Sequence, residues 1–296
     1  MARRQAAWVM EHLQERLPCI ALGIVVIKTR GDIMQDVSLS QIGGKGLFVK
    51  EIEDALLRGD IDMAVHSMKD VPAEIPEGLE IFATPKREDP RDALISKDNR
   101  KLKNLDKRAC VGTGSLRRTF QLRHLLPKME VVPLRGNLDT RIRKIETDSL
   151  DGVIVAAAGM QRMGWAHRIS EAIPVEVMLP SVGQGALGIE ARSDDTEIKN
   201  VLSCLHHPQT WVEVSAERAF LRALGGGCQA PVAAYAKVEG GILHIRGLVG
   251  SPNGCEMIRD ELCGDCKQAE SLGRQLADGI LLRGGHRILE EVYRSR

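Results

Sequence analysis

Short apolar runs alternate with amphipathic helix patterns through the first two thirds of this chain, and this alternation constrains the fold more than any other feature. The apolar runs lie at residues 23–27, 61–65, 109–113, 130–134 and 151–159. Between them, the stretch 46–58 places Ile52 and Leu56 on one helical face and the charged Lys50 and Glu53 on the other. Continuous apolar runs are typical of strands buried in a parallel sheet. The pattern therefore predicts layered α/β structure.

The pattern changes after about residue 208. A helix pattern at 210–224 ends at a glycine run, and three strand-like segments follow, at 231–238, 242–249 and 255–262. Turn signals separate these segments, so we expect them to pair as an antiparallel meander. A further helix is indicated by Leu272, Leu276 and Ile280 at four-residue spacing. Residues 208–296 are therefore predicted to form a separate, smaller α+β domain.

Charge, hydropathy and cysteine content limit the class of protein. Lys and Arg number 41 against 40 Asp and Glu, which argues against a surface built to coat nucleic acid or an anionic membrane. No apolar run approaches the roughly 18 to 20 residues of a membrane span, and the first residues lack the apolar core of a secretory signal. The seven scattered cysteines are typical of reduced thiols. We expect a cytoplasmic protein without a disulfide framework.

Basic residues are concentrated in the stretch 117–144, which has eight Lys and Arg residues but two acidic ones. Ser115 follows a predicted strand and is placed to cap the next helix, with Arg117 and Arg118 in its first turn. Cations at a helix N-terminus are disfavoured by the helix dipole, so two of them indicate that an anion binds there.

The same arrangement recurs after the next strand, where Arg135 leads into a helix that bears Arg141. Carboxyl ends of strands in open parallel sheets form ligand crevices, and guanidinium groups match carboxylate or phosphate geometry. Two alternatives remain open: a solvated basic face, and RNA binding, which the low aromatic content of 3% disfavours because stacking platforms are few.

Two further segments are candidates for the same crevice. Glycines and Lys45 precede the helix pattern at 46–58, where backbone N–H groups could bind an anion; a plain flexible loop is the alternative. Lys69 and Asp70 follow the run at 61–65. A carboxylate among many cations can remain ionised and stabilise a cation that develops on a ligand, although a neighbouring Lys and Asp are most often simply solvated.

The cysteine in GGGCQAP, Cys228, follows the C-terminal end of the predicted helix at 210–224. The negative end of a helix dipole does not lower a thiol pKa, so a cycling nucleophile is disfavoured there. A thiol on a glycine-rich tether suits a permanent attachment point; a small buried residue at a domain edge is the alternative. Cys263 and Cys266 have the CxxC spacing of a redox pair or half a zinc site, but no second Cys/His pair at finger-like spacing accompanies them.

These residues lie in seven motifs that occur in one family in the same order: GGKGLFVKE, DMAVHSMKDVP, REDPRDAL, VGTGSLRR, LRGNLDTR, LPSVGQGALGIE and GGGCQAP. On these motifs, which extend over almost the whole chain, the sequence resembles the porphobilinogen deaminases, or hydroxymethylbilane synthases. Enzymes of this family are transferases of tetrapyrrole and heme biosynthesis. They condense four porphobilinogen molecules head to tail, with loss of ammonia, into linear hydroxymethylbilane.

The resemblance implies three domains, of which the first two are α/β and similar to periplasmic binding proteins. Residues 1–87 with 181–206 would form domain 1, 88–180 domain 2, and 208–296 the α+β domain that carries the cysteine loop. The chain opens at a segment that matches the family's first helix, so we expect that about 14 residues, a strand with an Arg-x-Ser segment, are missing from its start.

The resemblance also implies a dipyrromethane cofactor, attached to Cys228 by a thioether, and no metal. Asp70 would be the catalytic residue, since it would bind pyrrole N–H groups and stabilise the cation left when ammonia departs. The expected cofactor ligands are Lys69, Ser115, Arg117, Arg118 and Arg135, and the expected substrate ligands are Arg141, Arg162 and Lys45. Porphobilinogen is the expected partner, with no nucleic acid or membrane, and the expected state is a monomer.

Two other classes of protein remain as hypotheses. A non-catalytic protein of the same fold could bind an organic anion without reacting, particularly if the start of the chain is missing. A redox or metal protein could use Cys263 and Cys266.

Overall fold

The computed structural model describes residues 1–29, 49–225 and 230–294. The helices are α1 (Ala2–Arg16), α2 (Lys50–Arg58), α3 (Leu116–Leu125), α4 (Leu138–Thr147), α5 (Ala157–Arg162), α6 (Thr196–Ser203), α7 (Pro208–Ala223), α8 (Ala269–Ile280) and α9 (His286–Arg294). The strands are β1 (Ala64–Ser67), β2 (Leu79–Ala83), β3 (Asp92–Ser96), β4 (Cys110–Thr113), β5 (Glu130–Pro133), β6 (Gly152–Ala156), β7 (Glu171–Ile173), β8 (Leu187–Arg192), β9 (Val232–Glu239), β10 (Ile242–Gly250) and β11 (Met257–Asp265).

The largest sheet has five strands in the order β5-β4-β6-β3-β7. Strand β4 pairs in parallel with β5 and β6, as the apolar runs at 109–113, 130–134 and 151–159 predict, whereas β3 is antiparallel to β6 and β7. Apolar side chains are buried on both faces, with Val153 in one core cluster and Ile154 in another. The predicted α/β class is confirmed for this part of the chain.

A second sheet has three strands in the order β1-β8-β2, and all of them are antiparallel to their neighbours. The prediction of a parallel strand at 61–65 is wrong in direction, because burial on both faces produces the same apolar run in either orientation. Helix α1 covers this sheet, with Val9 and Leu13 packed in the same cluster as Ile189.

The apolar run at 23–27 differs from its prediction as well. It has no regular secondary structure, and Val25 and Val26 are 64% and 60% exposed. The hydrophobic pattern predicted a buried strand. A strand forms only beside another strand, and none in the described ranges pairs with these residues.

Helix α2 confirms the helix pattern at 46–58 for its described part and ends at Gly59, whose φ of +77° is left-handed. Ala55 and Leu56 are buried as expected. Glu53, predicted on the polar face, is buried too, at 7% exposure.

The C-terminal sheet is the predicted meander, with β10 between β9 and β11 and both pairings antiparallel. Gly240 and Gly241 both have positive φ and form the tight turn between β9 and β10. Helices α7 and α8 cover the sheet, and Phe220, Leu276 and Ile245 belong to one core cluster. Each of the three sheets lies within one of the predicted domains, whose exact bounds remain a prediction.

Candidate functional site

Strand β1 leads directly into a single 3-10 turn, Met68–Asp70, that presents two of the predicted residues. Met68 is buried and anchors the turn, whereas Lys69 is half-buried and Asp70 is exposed. Gly183, with φ +68°, lies against this turn, where a Cβ would come within 2.8 Å of Met68 Cβ. A glycine is therefore required for the close approach of the two segments.

Arg117 and Arg118 lie in the first turn of α3, as predicted, but both are buried and both bind Asp92 of β3. Arg117 donates to the two carboxylate oxygens of Asp92 at 2.7 and 3.0 Å. Arg118 donates from Nε to Asp92 Oδ1 at 2.9 Å and from Nη1 to the carbonyl oxygen of Ile154 at 3.1 Å. A protein carboxylate thus holds the two guanidinium groups in place.

The charges of this cluster alter one another's ionisation. Burial alone would raise the pKa of Asp92, but Arg117 and Arg118 lower it far below its ordinary value. Burial, together with Arg117 and Arg141, lowers the pKa of Arg118 to about 10, against the opposing effect of Asp92. One carboxylate faces two guanidinium groups, so the cluster keeps an excess positive charge.

Gln184 connects this cluster to the loop before β8. Its side-chain amide donates to Asp92 Oδ1 at 3.0 Å and to the carbonyl oxygen of Pro90 at 2.6 Å, and its side-chain oxygen accepts from Arg118 at 3.3 Å. Gly185 follows with φ +90°, and a Cβ there would lie 2.5 Å from the carbonyl oxygen of Glu88. The loop is therefore tightly fitted against the segment that leads into β3.

Further cations lie near the Met68–Asp70 turn and the Gly183–Gly185 loop. Burial and Arg135 lower the pKa of Arg141, and Asp70 opposes them. Arg141 Nε donates to the carbonyl oxygen of Gly136 at 2.8 Å, and Arg162 donates to that of Gly185 at 2.7 Å.

These cations have no acidic partner in the part of the chain that the structure describes. Within residues 1–29, 49–225 and 230–294, no carboxylate forms an ion pair with Lys69, Arg135, Arg141 or Arg162. Burial lowers the pKa of Lys69, and Arg118 and Arg117 lower it further, against the opposing effects of Asp70 and Asp92. The site can therefore accept negative charge.

Ser115 occupies the N-cap position of α3, but its side chain makes no capping hydrogen bond. Its carbonyl oxygen instead accepts from the Thr119 hydroxyl at 3.1 Å. Asn137, at the start of α4, is a working cap, since its side-chain oxygen accepts from the Thr140 backbone N–H at 2.9 Å. The hydroxyl of Ser115 is thus not needed to begin α3.

Two predicted residues, Cys228 and Lys45, lie outside the described residues. The chain before Cys228 is described to Gly225, which has φ +84° and follows α7, and it resumes at the buried Ala230. Ala230 lines a small cavity with Lys69 and Met68. The described residue nearest to Cys228 on its C-terminal side therefore adjoins the Met68–Asp70 turn.

Sequence reasoning missed Asp92, Gln184 and the buried pair of Arg87 and Glu217. Arg87 donates to both carboxylate oxygens of Glu217, at 2.6 and 3.1 Å, and to the carbonyl oxygen of Gln184 at 2.9 Å. Burial by itself would lower the pKa of Arg87, but Glu217 raises it. The sequence showed Asp92 only as an acidic residue beside the basic motifs, and that position does not indicate burial.

Among the described residues, no cluster of further metal ligands accompanies the CxxC pair. Cys263 is exposed, and Cys266 donates to the carbonyl oxygen of Gly241 at 3.3 Å. Across the three described ranges, no cluster of three His, Cys, Asp or Glu side chains could hold a metal ion. Over the same ranges, no helix has both the length and the apolar composition of a membrane span.

Two solved structures align with part of this chain at low identity. The Bordetella pertussis BvgS periplasmic VFT2 domain aligns over 68% of this chain and 75% of that chain, at 17% identity and TM-score 0.38. The probable amino-acid ABC transporter extracellular-binding protein ytmK from Bacillus subtilis aligns over 67% and 78%, at 10% identity and TM-score 0.38.

Family models and curated relatives match far more closely. Residues 1–200 match the model described as "Porphobilinogen deaminase, dipyromethane cofactor binding domain", and residues 211–281 match "Porphobilinogen deaminase, C-terminal domain". The porphobilinogen deaminase of Syntrophus aciditrophicus is 56% identical over 99% of this chain and 95% of its own length. That of Pelobacter propionicus is 51% identical over 99% and 94%. With the cation-lined turn at Asp70 and these matches over nearly its whole length, the chain belongs to the porphobilinogen deaminase family.

Proposed function

We propose that this chain is a hydroxymethylbilane synthase, which condenses four porphobilinogen molecules head to tail with loss of ammonia. The growing chain would be primed by a dipyrromethane attached to Cys228 through a thioether. Membership of the family, whose N-terminal model is the cofactor-binding domain, supports this proposal. Cytoplasmic location and a monomeric state remain predictions.

The observation that carries the proposal is the group of cations around an exposed carboxylate. Lys69, Arg135 and Arg141 have no acidic partner among the described residues; Lys69 and Arg141 lie near Asp70, and Arg135 lies near Arg141. Each porphobilinogen carries two carboxylates, so an elongating chain accumulates negative charge. Guanidinium groups bind carboxylates with matched geometry, and their excess charge suits such a ligand.

The residues present also suit a carboxylate-bearing cofactor. Arg117 Nε is buried and has no hydrogen-bond partner among the described residues, and the Ser115 hydroxyl, which makes no capping bond, stands at the N-terminus of the same helix. Lys69, Arg118 and Arg135 would complete the set of cofactor ligands, and Arg141, Arg162 and Lys45 would bind the substrate carboxylates. The bound dipyrromethane supplies the pyrrole carbon to which the first substrate becomes joined.

Asp70 is proposed to act directly on the reacting substrate. Its carboxylate would accept hydrogen bonds from pyrrole N–H groups and stabilise the positive charge that develops as ammonia leaves. Exposure of Asp70 at the turn after β1 leaves it accessible to a substrate.

Intact-protein mass spectrometry tests the attachment. Incubation of the full chain with porphobilinogen should add the mass of two linked pyrroles, and Cys228→Ser should abolish that addition. Cys263→Ser is the matched control, since Cys263 is exposed and distant in sequence from the loop. Addition of the same mass to Cys228→Ser would refute the attachment point.

Turnover assays test Asp70. Asp70→Asn should lower kcat by about 10²–10³-fold, the usual effect of removing one electrostatic stabiliser, and leave the urea midpoint nearly unchanged. Glu80→Gln, which removes an exposed carboxylate from β2, is the control and should retain activity. A wild-type chain that binds porphobilinogen without turnover would instead indicate the non-catalytic anion-binding protein.

A further inference from the structure

Three titratable side chains that the proposed reaction does not use are buried between α2 and the sheet of β1, β8 and β2. Glu53 of α2, His66 of β1 and Glu190 of β8 are 7%, 5% and 1% exposed. Buried carboxylates are rare unless they are paired, so two of them beside one imidazole require an explanation.

Only one of the two carboxylate oxygens of Glu190 has a hydrogen-bond partner among the described residues. His66 Nε2 lies 2.8 Å from Glu190 Oε2, which satisfies one carboxylate oxygen. The other oxygen, Oε1, is also buried and has no hydrogen-bond partner in the described ranges. A buried acceptor of this kind requires a donor, and a protonated carboxyl group is one.

Glu53 is placed to be that donor. Burial, Glu190 and Asp54 together raise its pKa to about 7, against the opposing effect of His66. Glu53 and Glu190 are both buried between α2 and the sheet, and the charge of Glu190 acts on Glu53 more strongly than that of any other side chain. Two neighbouring carboxylates commonly retain one proton between them.

We propose that Glu53 and Glu190 share one proton, held between Glu53 and Glu190 Oε1, and that its loss at rising pH loosens α2 from the sheet. Deprotonation would leave two buried negative charges side by side. The released proton enters solvent, and no other group needs to react.

Among the described residues, His66 is the group that opposes a second negative charge at Glu53, and it already contacts Glu190 Oε2 at 2.8 Å. Strand β8 contributes Arg192 besides Glu190, but Arg192 already binds Asp195 at 2.9 Å and Asp62 at 3.3 Å. Strand β2 faces α2 with the apolar Leu79. The remaining described groups that act on Glu53 are His66 and, from its own helix, Asp54.

The direction of the pH effect follows from linkage. The folded-state pKa of Glu53, about 7, exceeds its ordinary value of 4.5, so the folded protein binds the additional proton between these values. Stability should therefore fall as pH rises from about 4.5 to about 7, by up to about tenfold in the folding equilibrium constant per pH unit. Above about pH 7, deprotonation of Glu53 should cause no further fall in stability.

Urea unfolding of the full chain between pH 5 and 8 tests this proposal without any substrate, so its outcome is independent of the proposed reaction. Glu53→Gln keeps a donor for Glu190 Oε1 but cannot ionise, so it should lose the fall in stability that the wild type shows. Asp60→Asn, which changes an exposed carboxylate just beyond α2, should follow the wild-type profile. Parallel profiles for Glu53→Gln and the wild type would overturn the proposal.

Infrared difference spectra provide a second measurement if Glu53→Gln does not fold. The wild type at pH 6 should show the carbonyl band of a protonated carboxylic acid, which disappears as the pH passes about 7. Glu190→Gln should move that change to lower pH, because its amide can donate to the Glu53 carboxylate. No such band in the folded wild type, or no effect of Glu190→Gln, would refute the shared proton.

Discussion

Asp92→Asn should destabilise the fold strongly, because Asp92 is the common counter-ion of two buried arginines. Its carboxylate is fully buried and accepts from Arg117, from Arg118 and from Gln184. Asparagine keeps one acceptor oxygen but removes the charge and points N–H groups toward the guanidinium groups. Removing one partner of a buried ion pair costs about 3–5 kcal/mol.

The assay is urea unfolding at pH 7, with Asp98→Asn as the matched control. Asp98 pairs with Arg100 at 3.0 Å on the surface, where both side chains are more than half exposed. Such a pair contributes about 0–1 kcal/mol. A loss below about 1 kcal/mol for Asp92→Asn, equal to the control, would show that the buried arginines do not need this carboxylate.

The pH dependence provides an independent check on the same carboxylate. The arginines hold the pKa of Asp92 below its ordinary value of 3.8, so its stabilisation is present above pH 3.8 and is lost as pH falls through the lower, folded-state value. Asp92→Asn should therefore lose part of the acid destabilisation that the wild type shows below about pH 4. Identical acid profiles in the two proteins would contradict the lowered pKa.

Three other substitutions test the core, the loop before β8 and the cation-lined site. Leu276→Ala, at a fully buried position of α8, should cost about 2–5 kcal/mol in urea unfolding, and a cost near zero would mean that the C-terminal core collapses around the cavity. Gly185→Ala should cost about 1–3 kcal/mol because of its positive φ and the contact at Glu88, and it should exceed Gly164→Ala, which has positive φ but open space around it. Arg141→Leu should raise KM for porphobilinogen and leave the urea midpoint nearly unchanged; an unaltered KM would remove Arg141 from the substrate site.

The elements that sequence reasoning predicted best are those whose hydrophobic pattern is also their burial pattern. The meander β9 to β11 and the helices α7 and α8 have turn residues and apolar spacing that agree with each other, so local and tertiary preferences coincide. The run at 23–27 was predicted wrongly because apolar composition indicates a preference for burial and cannot supply the neighbouring strand. Strand direction at β1 failed for a similar reason, since pairing depends on residues more than a hundred positions away.

The site was predicted as a set of residue types but not as a network. Sequence position placed Arg117 and Arg118 in a helix's first turn, which is where they lie. It could not indicate that Asp92 binds both, because nothing in the REDPRDAL motif distinguishes Asp92 from Asp89, which binds Arg91 instead. Glu53 illustrates the same limit, since a charged residue at a polar helical position proved to be buried.

Glu217 of α7 receives hydrogen bonds from three separate segments of the chain. Arg87, the backbone N–H of Gly183 and the backbone N–H of Ala236 all donate to its carboxylate. A polypeptide cut off near residue 206 would retain Arg87 and Gly183 but lose the carboxylate that neutralises the first and pairs with the second. The C-terminal domain thus completes buried polar contacts of the preceding residues, and a split of the chain at that boundary would leave one buried charge without its counter-ion on each side.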